Sequence, residues 1–211
     1  MKVLEINSFF SVGGPPRIVK GVYDALINRG DECMVAAARE MPYDYMKIIR
    51  IGSEFSATMN ALSARLFDNV GFTAKRATKK LIKEIKAYDP DVIHLHNLHG
   101  YYLDIEVLFD YLKSADKKVI WTLHDCWAFT GHCAYFDYAN CYKWETGGCE
   151  NCPQKKEYPK SIFLSRSKKN FARKKRAFTG VKDLTIVTPS NWLKNLVERS
   201  FLKDYKVVTV Y

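Results

Sequence analysis

The feature that most narrows the folds open to this chain is an alternation, carried almost from end to end, of short apolar runs with longer stretches whose apolar residues recur at helical spacing. Lys2 to Asn7 (KVLEIN) reads as a strand that runs through SFFSVGG into a segment with Ile18, Val22 and Leu26 on one helical stripe. Gly30 stops that helix, and Cys33 to Ala38 (CMVAAA) supplies a second buried strand, which completes a βαβ unit. Lys47 to Ile51 (KIIRI) is a candidate third strand. Phe72 to Tyr88 carries Leu81, Ile82 and Ile85 among lysines and arginines, the pattern of a helix with one buried stripe, and Asp89-Pro90 ends it. Strands at Asp91 to His96 (DVIHLH), Lys118 to Leu123 (KVIWTL), Leu184 to Thr188 and Lys206 to Tyr211 then alternate with helices at Leu103 to Leu112 and Ser190 to Arg199. Strands of this kind need cover on both faces, so the expected fold is α/β: a Rossmann-like doubly wound parallel sheet between helices.

The chain has 211 residues, 47% of them hydrophobic and 27% charged, which suits one such domain. The opening MKVLEINSFF lacks the basic leader and apolar run of a signal peptide, and no stretch approaches the roughly 20 apolar residues that span a bilayer, so the expected location is the cytoplasm. A net charge of +10 implies an anionic partner: nucleic acid, a membrane face or a phosphate-bearing substrate. Much of that charge lies in Ser161 to Phe178, read as a helix in which Lys168, Lys169, Lys174 and Lys175 follow the apolar Ile162, Phe163 and Leu164. Such a helix is either a solvated surface element or a dock for anionic lipid, peripheral on the inner membrane face. No RNP, KH or zinc-knuckle pattern accompanies the charge, so nucleic acid is not expected.

Three groups of residues carry candidate chemistry. Gly13 and Gly14 stand between strand and helix, where backbone N–H groups can face a phosphate, with Arg17 able to add a charge-assisted contact; a plain tight turn opened by Pro15 and Pro16 fits equally. His96, Asn97 and His99 follow one strand, and His124 with Asp125 follow another, at the rim where open parallel sheets bind ligands. His94 lies within its strand and is assigned to structure, whereas His96 and His124 are the functional candidates. Finally, Cys133, Cys141, Cys149 and Cys152 fall in one glycine-containing segment, spaced for a structural zinc site, with His132 as a substitute ligand and Cys33 and Cys126 left out. That segment, Gly131 to Pro153, shows no periodic apolar face and is expected to lack a core of its own. Free thiols or a redox pair at Cys149 and Cys152 are the alternatives.

Four segments together resemble the N-terminal domain of family 4 glycosyltransferases of the GT-B fold, of the bacterial kind that builds capsule, exopolysaccharide or O-antigen: SVGGPPRIV, DVIHLHNLHG, VIWTLHDCWAFTGHC with CYKWETGGCENCP, and VTPSNWLKNLVERS. The resemblance implies a retaining, hexosyltransferase-type transfer from a nucleotide sugar to a glycan or lipid-linked acceptor, with no catalytic metal. It implies that residues 1–211 are the acceptor-side half, interrupted by a cysteine-rich insertion at about 126–158, and that a C-terminal donor domain is absent. It maps the donor phosphates to Gly13 and Gly14 and the catalytic histidine to His124, with Arg17, His96, Asn97, Asp125 and Ser190 as further substrate-binding candidates. A standalone zinc-stabilised module binding anionic lipid or nucleic acid is the competing reading.

Overall fold

The computed structural model describes residues 1–9, 13–39 and 44–211, the side chains of Phe9 and Arg39 excepted. Phe10, Ser11 and Val12, part of the expected strand-to-helix loop, lie outside the described residues. Among those described, seven strands form one sheet: β1 (Lys2–Phe9), β2 (Glu32–Arg39), β3 (Ile48–Arg50), β4 (Val92–Leu95), β5 (Lys118–Thr122), β6 (Leu184–Thr188) and β7 (Lys206–Thr209). Every pairing is parallel and the order is β3-β2-β1-β4-β5-β6-β7. The order reverses between β1 and β4, and a crevice opens there beyond the carboxyl ends of the strands.

Helices α1 (Gly14–Asn28), α2 (Glu54–Phe67), α3 (Lys75–Tyr88), α4 (Ile105–Ser114), α5 (Ser167–Phe178) and α6 (Asn191–Glu198) connect the strands. Successive side chains of a strand point to opposite faces, and the core divides accordingly. Leu4, Ile6, Ile93, Leu95 and Trp121 join the main core with α3, α4 and α5, whereas Val3, Val35 and Ala37 pack with Val19 and Tyr23 of α1. The Trp121 ring meets Phe178 edge-on at 4.7 Å and Phe109 at 5.5 Å, so truncating Phe178 to alanine costs about 3–5 kcal/mol.

The sheet and its alternation are as the sequence implies; three local expectations are corrected, and one helix, α2, was not foreseen. The buried stripe of α1 is Pro16, Val19 and Tyr23, while Ile18 is exposed. Helix α2 was not legible because it is inverted: only Ala57 and Ala64 are buried, and Phe55, Met59, Leu62 and Phe67 face outward. The basic helix begins at Ser167, and its Lys174 is buried, with Nζ donating to the carbonyl oxygens of Trp127 (2.7 Å) and Thr130 (3.1 Å). The cysteine-rich segment does possess a core, because Phe136 and Trp144 are buried with Phe129, ring centroids 4.9 to 5.1 Å apart.

Candidate functional site

The cleft at the switch point has a volume of about 510 Å³ and is walled by Ser8, Gly13 to Pro16, Ile18, Asn97, His99, His124, Asp125, Tyr135 and Tyr158. One wall is the start of α1. Gly13 precedes the helix at φ 110°, a conformation that strains any residue with a Cβ. The first turn of a helix leaves its N–H groups unpaired, but Pro15 and Pro16 have none, so Gly13 and Gly14 are the amides this end can offer a ligand before Arg17. Arg17 itself is exposed and does not line the cleft; Ile18 does.

The opposite wall is built on a buried polar chain that begins at Glu5, an acidic residue in the central strand β1. Glu5 is fully buried, and register sets it beside His94 on β4. Its two carboxylate oxygens serve two histidines: Oε1 lies 3.0 Å from His94 Nδ1 and Oε2 lies 2.6 Å from His96 Nε2. Burial alone would push this carboxyl up, but the hydrogen bonds from His94 and His96 outweigh it and hold the pKa below the usual value. His94 completes its pairing with Thr122 Oγ1 at 2.8 Å, which places it in structure as the sequence suggested. His96 is fully buried and does not reach the cleft; its Nδ1 lies 3.2 Å from His124 Nε2, and the two rings stack 17° apart.

These contacts determine protons. Burial pushes the His96 pKa down despite Glu5, and burial with the neighbouring His96 pushes His124 down to about 4. Both rings are therefore neutral near pH 7. With Glu5 ionised, His96 donates from Nε2, its Nδ1 must accept, and His124 must donate from Nε2. His124 is thus left with an unprotonated Nδ1, a hydrogen-bond acceptor on a side chain that lines the cleft.

Asp125 borders the same cleft but its oxygens are committed: Oδ2 lies 2.7 Å from His99 Nε2, and Oδ1 accepts from Trp127 N–H at 2.9 Å. His99 in turn lies 2.9 Å from the Tyr158 hydroxyl, which ties the cleft to the cysteine-rich insertion. A second open hollow of about 560 Å³, lined by Tyr135, Tyr138, Pro153, Gln154 and Glu157, shares Tyr135 and Tyr158 with the first. Ser190 is not among the cleft residues; its hydroxyl caps α6 by accepting from Leu193 N–H.

All four candidate thiols, of Cys133, Cys141, Cys149 and Cys152, line one small cavity together with His132. Cys33 is buried in the core, and so is Cys126. The tightest cluster of metal-ligating types among the described residues is instead Glu5, His94 and His96. Its members already satisfy one another at 2.6 to 3.0 Å, and they are better described as a hydrogen-bonded support than as a metal site. Sequence reasoning missed Glu5, Thr122, Tyr135 and Tyr158. A single carboxylate in an otherwise apolar central strand, beside a strand ending HLH, was the available signal for the first.

A doubly wound parallel sheet with this cleft at its switch point defines a Rossmann-like domain. Residues 12–211 match Glycosyltransferase Family 4, and the chain belongs to that family. It is 30% identical over 196 residues to WcaC of Escherichia coli (strain K12), named as a colanic acid biosynthesis glycosyl transferase, a match that takes in 84% of this chain and 45% of that protein. The chain therefore spans less than half the length of this relative. Similar solved structures include a ugt transferase from Siraitia grosvenorii in complex with UDP (13% identity, all of this chain, 48% of that one, TM-score 0.49). The spinosyn rhamnosyltransferase SpnG complexed with thymidine diphosphate matches at 12% identity over 90% of this chain and 45% of its own, TM-score 0.44. Family membership favours a glycosyltransferase domain over a standalone zinc-stabilised module. No helix among the described residues is long and apolar enough to cross a membrane.

Proposed function

We propose that this chain is the N-terminal, acceptor-side domain of a retaining, hexosyltransferase-type enzyme that moves a sugar from a nucleotide sugar to a glycan or lipid-linked acceptor in cell-surface polysaccharide synthesis. The observation that carries the reading is the convergence, in a family 4 chain, of the Gly13-Gly14 turn, Asn97 and a neutral His124 on one switch-point cleft. The two glycine amides would face the donor phosphates, and a second, C-terminal domain would supply the rest of the donor site. His124, its Nε2 proton held by His96, would accept a hydrogen bond from a sugar hydroxyl through Nδ1 and so orient the reacting sugar. The tyrosine-lined hollow beside the cleft suits an acceptor saccharide, since ring faces stack on aromatic side chains while Gln154 and Glu157 hydrogen-bond hydroxyls. In the complete enzyme, His124→Ala is expected to lower kcat about 100-fold while costing only about 1 kcal/mol of stability for the lost hydrogen bond to His96. Undiminished transfer across a panel of nucleotide sugars would overturn the assignment.

A peripheral membrane position is part of this reading, but its support moves away from the basic helix. There Lys174 is buried, while Arg173 and Arg176 are paired with Glu106. The outward ridge of α2, Phe55, Met59 and Leu62, instead continues toward Phe67 and the exposed Ile162, Phe163 and Leu164, whose backbone joins α2 through Ile162 N–H to Arg65 O at 2.7 Å. Arg65, Arg166 over the Phe67 ring and Lys155 on the Phe163 carbonyl put positive charge at its edge. Binding to vesicles containing anionic lipid should fall with Met59→Ser and Phe163→Ser, and equal binding by parent and variants would count against it.

A further inference from the structure

We propose that Cys133, Cys149, Cys152 and the Nε2 atom of His132 form a zinc site that cross-links the cysteine-rich insertion, with Asp68 of the Rossmann-like domain holding the histidine. The site does not depend on the glycosyltransferase reading, because its test measures metal and needs no sugar.

The insertion delivers its cysteines inward by backbone geometry. Asn140 and Asn151, each immediately before a cysteine, and Gly147, two residues before Cys149, all have left-handed φ of 46°, 47° and 75°. These reversals fold the chain back so that the thiols and His132 border a common cavity of about 20 Å³. That volume admits about one water-sized occupant. Residue 131 must be glycine for the cavity to close, since a Cβ there would sit 2.3 Å from Ser167 O and 2.7 Å from Cys149 Cβ. The close approach directs Gly131 N–H at Cys149 Sγ, 3.3 Å away.

His132 supplies the independent observation. Its side chain is almost wholly buried, and its Nδ1 lies 2.6 Å from Asp68 Oδ1. Asp68 Oδ2 accepts from Arg166 N–H at 2.6 Å, so the carboxylate is an acceptor and His132 Nδ1 carries the proton. The other ring nitrogen, Nε2, is buried and has no hydrogen-bond partner among the described residues. A carboxylate on one ring nitrogen with the other directed to a metal is the usual way a histidine ligand is oriented. Three thiolates and one imidazole make a common closed zinc set. Cys141 also lines the cavity, but a tetrahedral ion takes four donors, and the fourth place is given to His132 because its buried Nε2 has no other partner among the described residues. Zinc–sulfur bonds of about 2.3 Å in a tetrahedron set sulfurs about 3.8 Å apart. The donors here are gathered without meeting at that spacing, since the group packed within 4.8 Å is Glu5, His94 and His96. Loading therefore draws them in by side-chain rotation and tightens the segment.

The experiment is metal analysis of untagged chain purified under reducing conditions, followed by cobalt substitution of the same protein. The expected result is about one zinc per chain and, with cobalt, the absorption of a tetrahedral thiolate site. Cys152→Ser and His132→Ala should each lose the metal, Cys141→Ser should keep it, and Asp68→Asn should weaken zinc binding about 10- to 100-fold. Wild-type protein without stoichiometric metal, or with its thiols joined in disulfides, would overturn the site. So would loss of zinc from Cys141→Ser alongside its retention in His132→Ala. Because cobalt spectra are read on the wild-type chain, a variant that fails to fold does not decide the outcome.

Discussion

Acidification is the perturbation that probes the site most quantitatively, because His124 is held neutral by its surroundings. Its pKa is pushed from an ordinary 6.5 down to about 4, chiefly by burial and next by His96. In the unfolded chain the same side chain takes up a proton below about 6.5. Between those two values the unfolded state binds more protons than the folded state, so stability is present above pH 6.5 and is lost as the pH falls toward 4. At about 1.36 kcal/mol per pH unit, the loss from this residue is on the order of 2–3 kcal/mol over that window, the lower figure allowing for the part of the ring that reaches solvent in the cleft. Denaturant unfolding at pH 7 and pH 4.5, on the parent and on His124→Asn, isolates the effect. The parent should lose about 2 kcal/mol more than the variant, and the His124 C2 proton resonance should titrate with a midpoint below 5. A midpoint near 6.5, or identical pH dependence in the two proteins, would refute the buried-relay account and with it the assignment of Nδ1 as an acceptor.

Glu5→Gln keeps the shape but replaces one acceptor oxygen with an amide donor, so one imidazole N–H is left facing a donor. Loss of about 1–3 kcal/mol, or a melting temperature lowered by about 2–12 °C, should follow in calorimetry, and no change would show that the carboxylate is not the shared acceptor. Lys174→Met removes an amino group, its pKa lowered by burial to about 7, that donates to two buried carbonyls and lies 3.6 Å over the Trp127 ring. It should cost about 2–4 kcal/mol while leaving anionic-vesicle binding intact; reduced vesicle binding in folded protein would return this residue to the surface.

The sheet was legible because its strands announce themselves as apolar runs bounded by Gly30, Asp89-Pro90 and Ser190, and because helices of one periodic stripe separate them. Helix α2 escaped because its large apolar residues point away from the core, so periodicity marks the wrong face. Lys174 escaped for the converse reason: a lysine within a basic run reads as solvated, and only a fold that brings the carbonyls of Trp127 and Thr130 beneath it can bury it. At the site, His124 could be placed at a strand end from sequence alone. The relation of His124 to His96 and Glu5 could not, since it depends on register across β1, β4 and β5 and joins residues 91 and 28 positions apart. Asp125 was read as a ligand contact from its strand-end position and Ser190 from the family resemblance; the structure engages them with His99 and, as a helix cap, with the α6 N-terminus. Aromatic packing of Phe129, Phe136 and Trp144 shows how a segment without periodicity can still own a core, because bulky rings need no regular backbone to meet.

The central claim is that the switch-point cleft is where this domain meets a nucleotide sugar. Its most direct test is an NMR titration of the labelled chain with nucleotide diphosphate sugars, following the Gly13, Gly14 and Asn97 amides and the His124 ring. If, as proposed, the cleft is one wall of a two-domain site, it supplies few contacts against the cost of association, so the account predicts shifts confined to these residues, weak affinity on the order of millimolar, and their loss in His124→Ala. Saturable shifts elsewhere on the domain, or micromolar binding that survives His124→Ala, would contradict it.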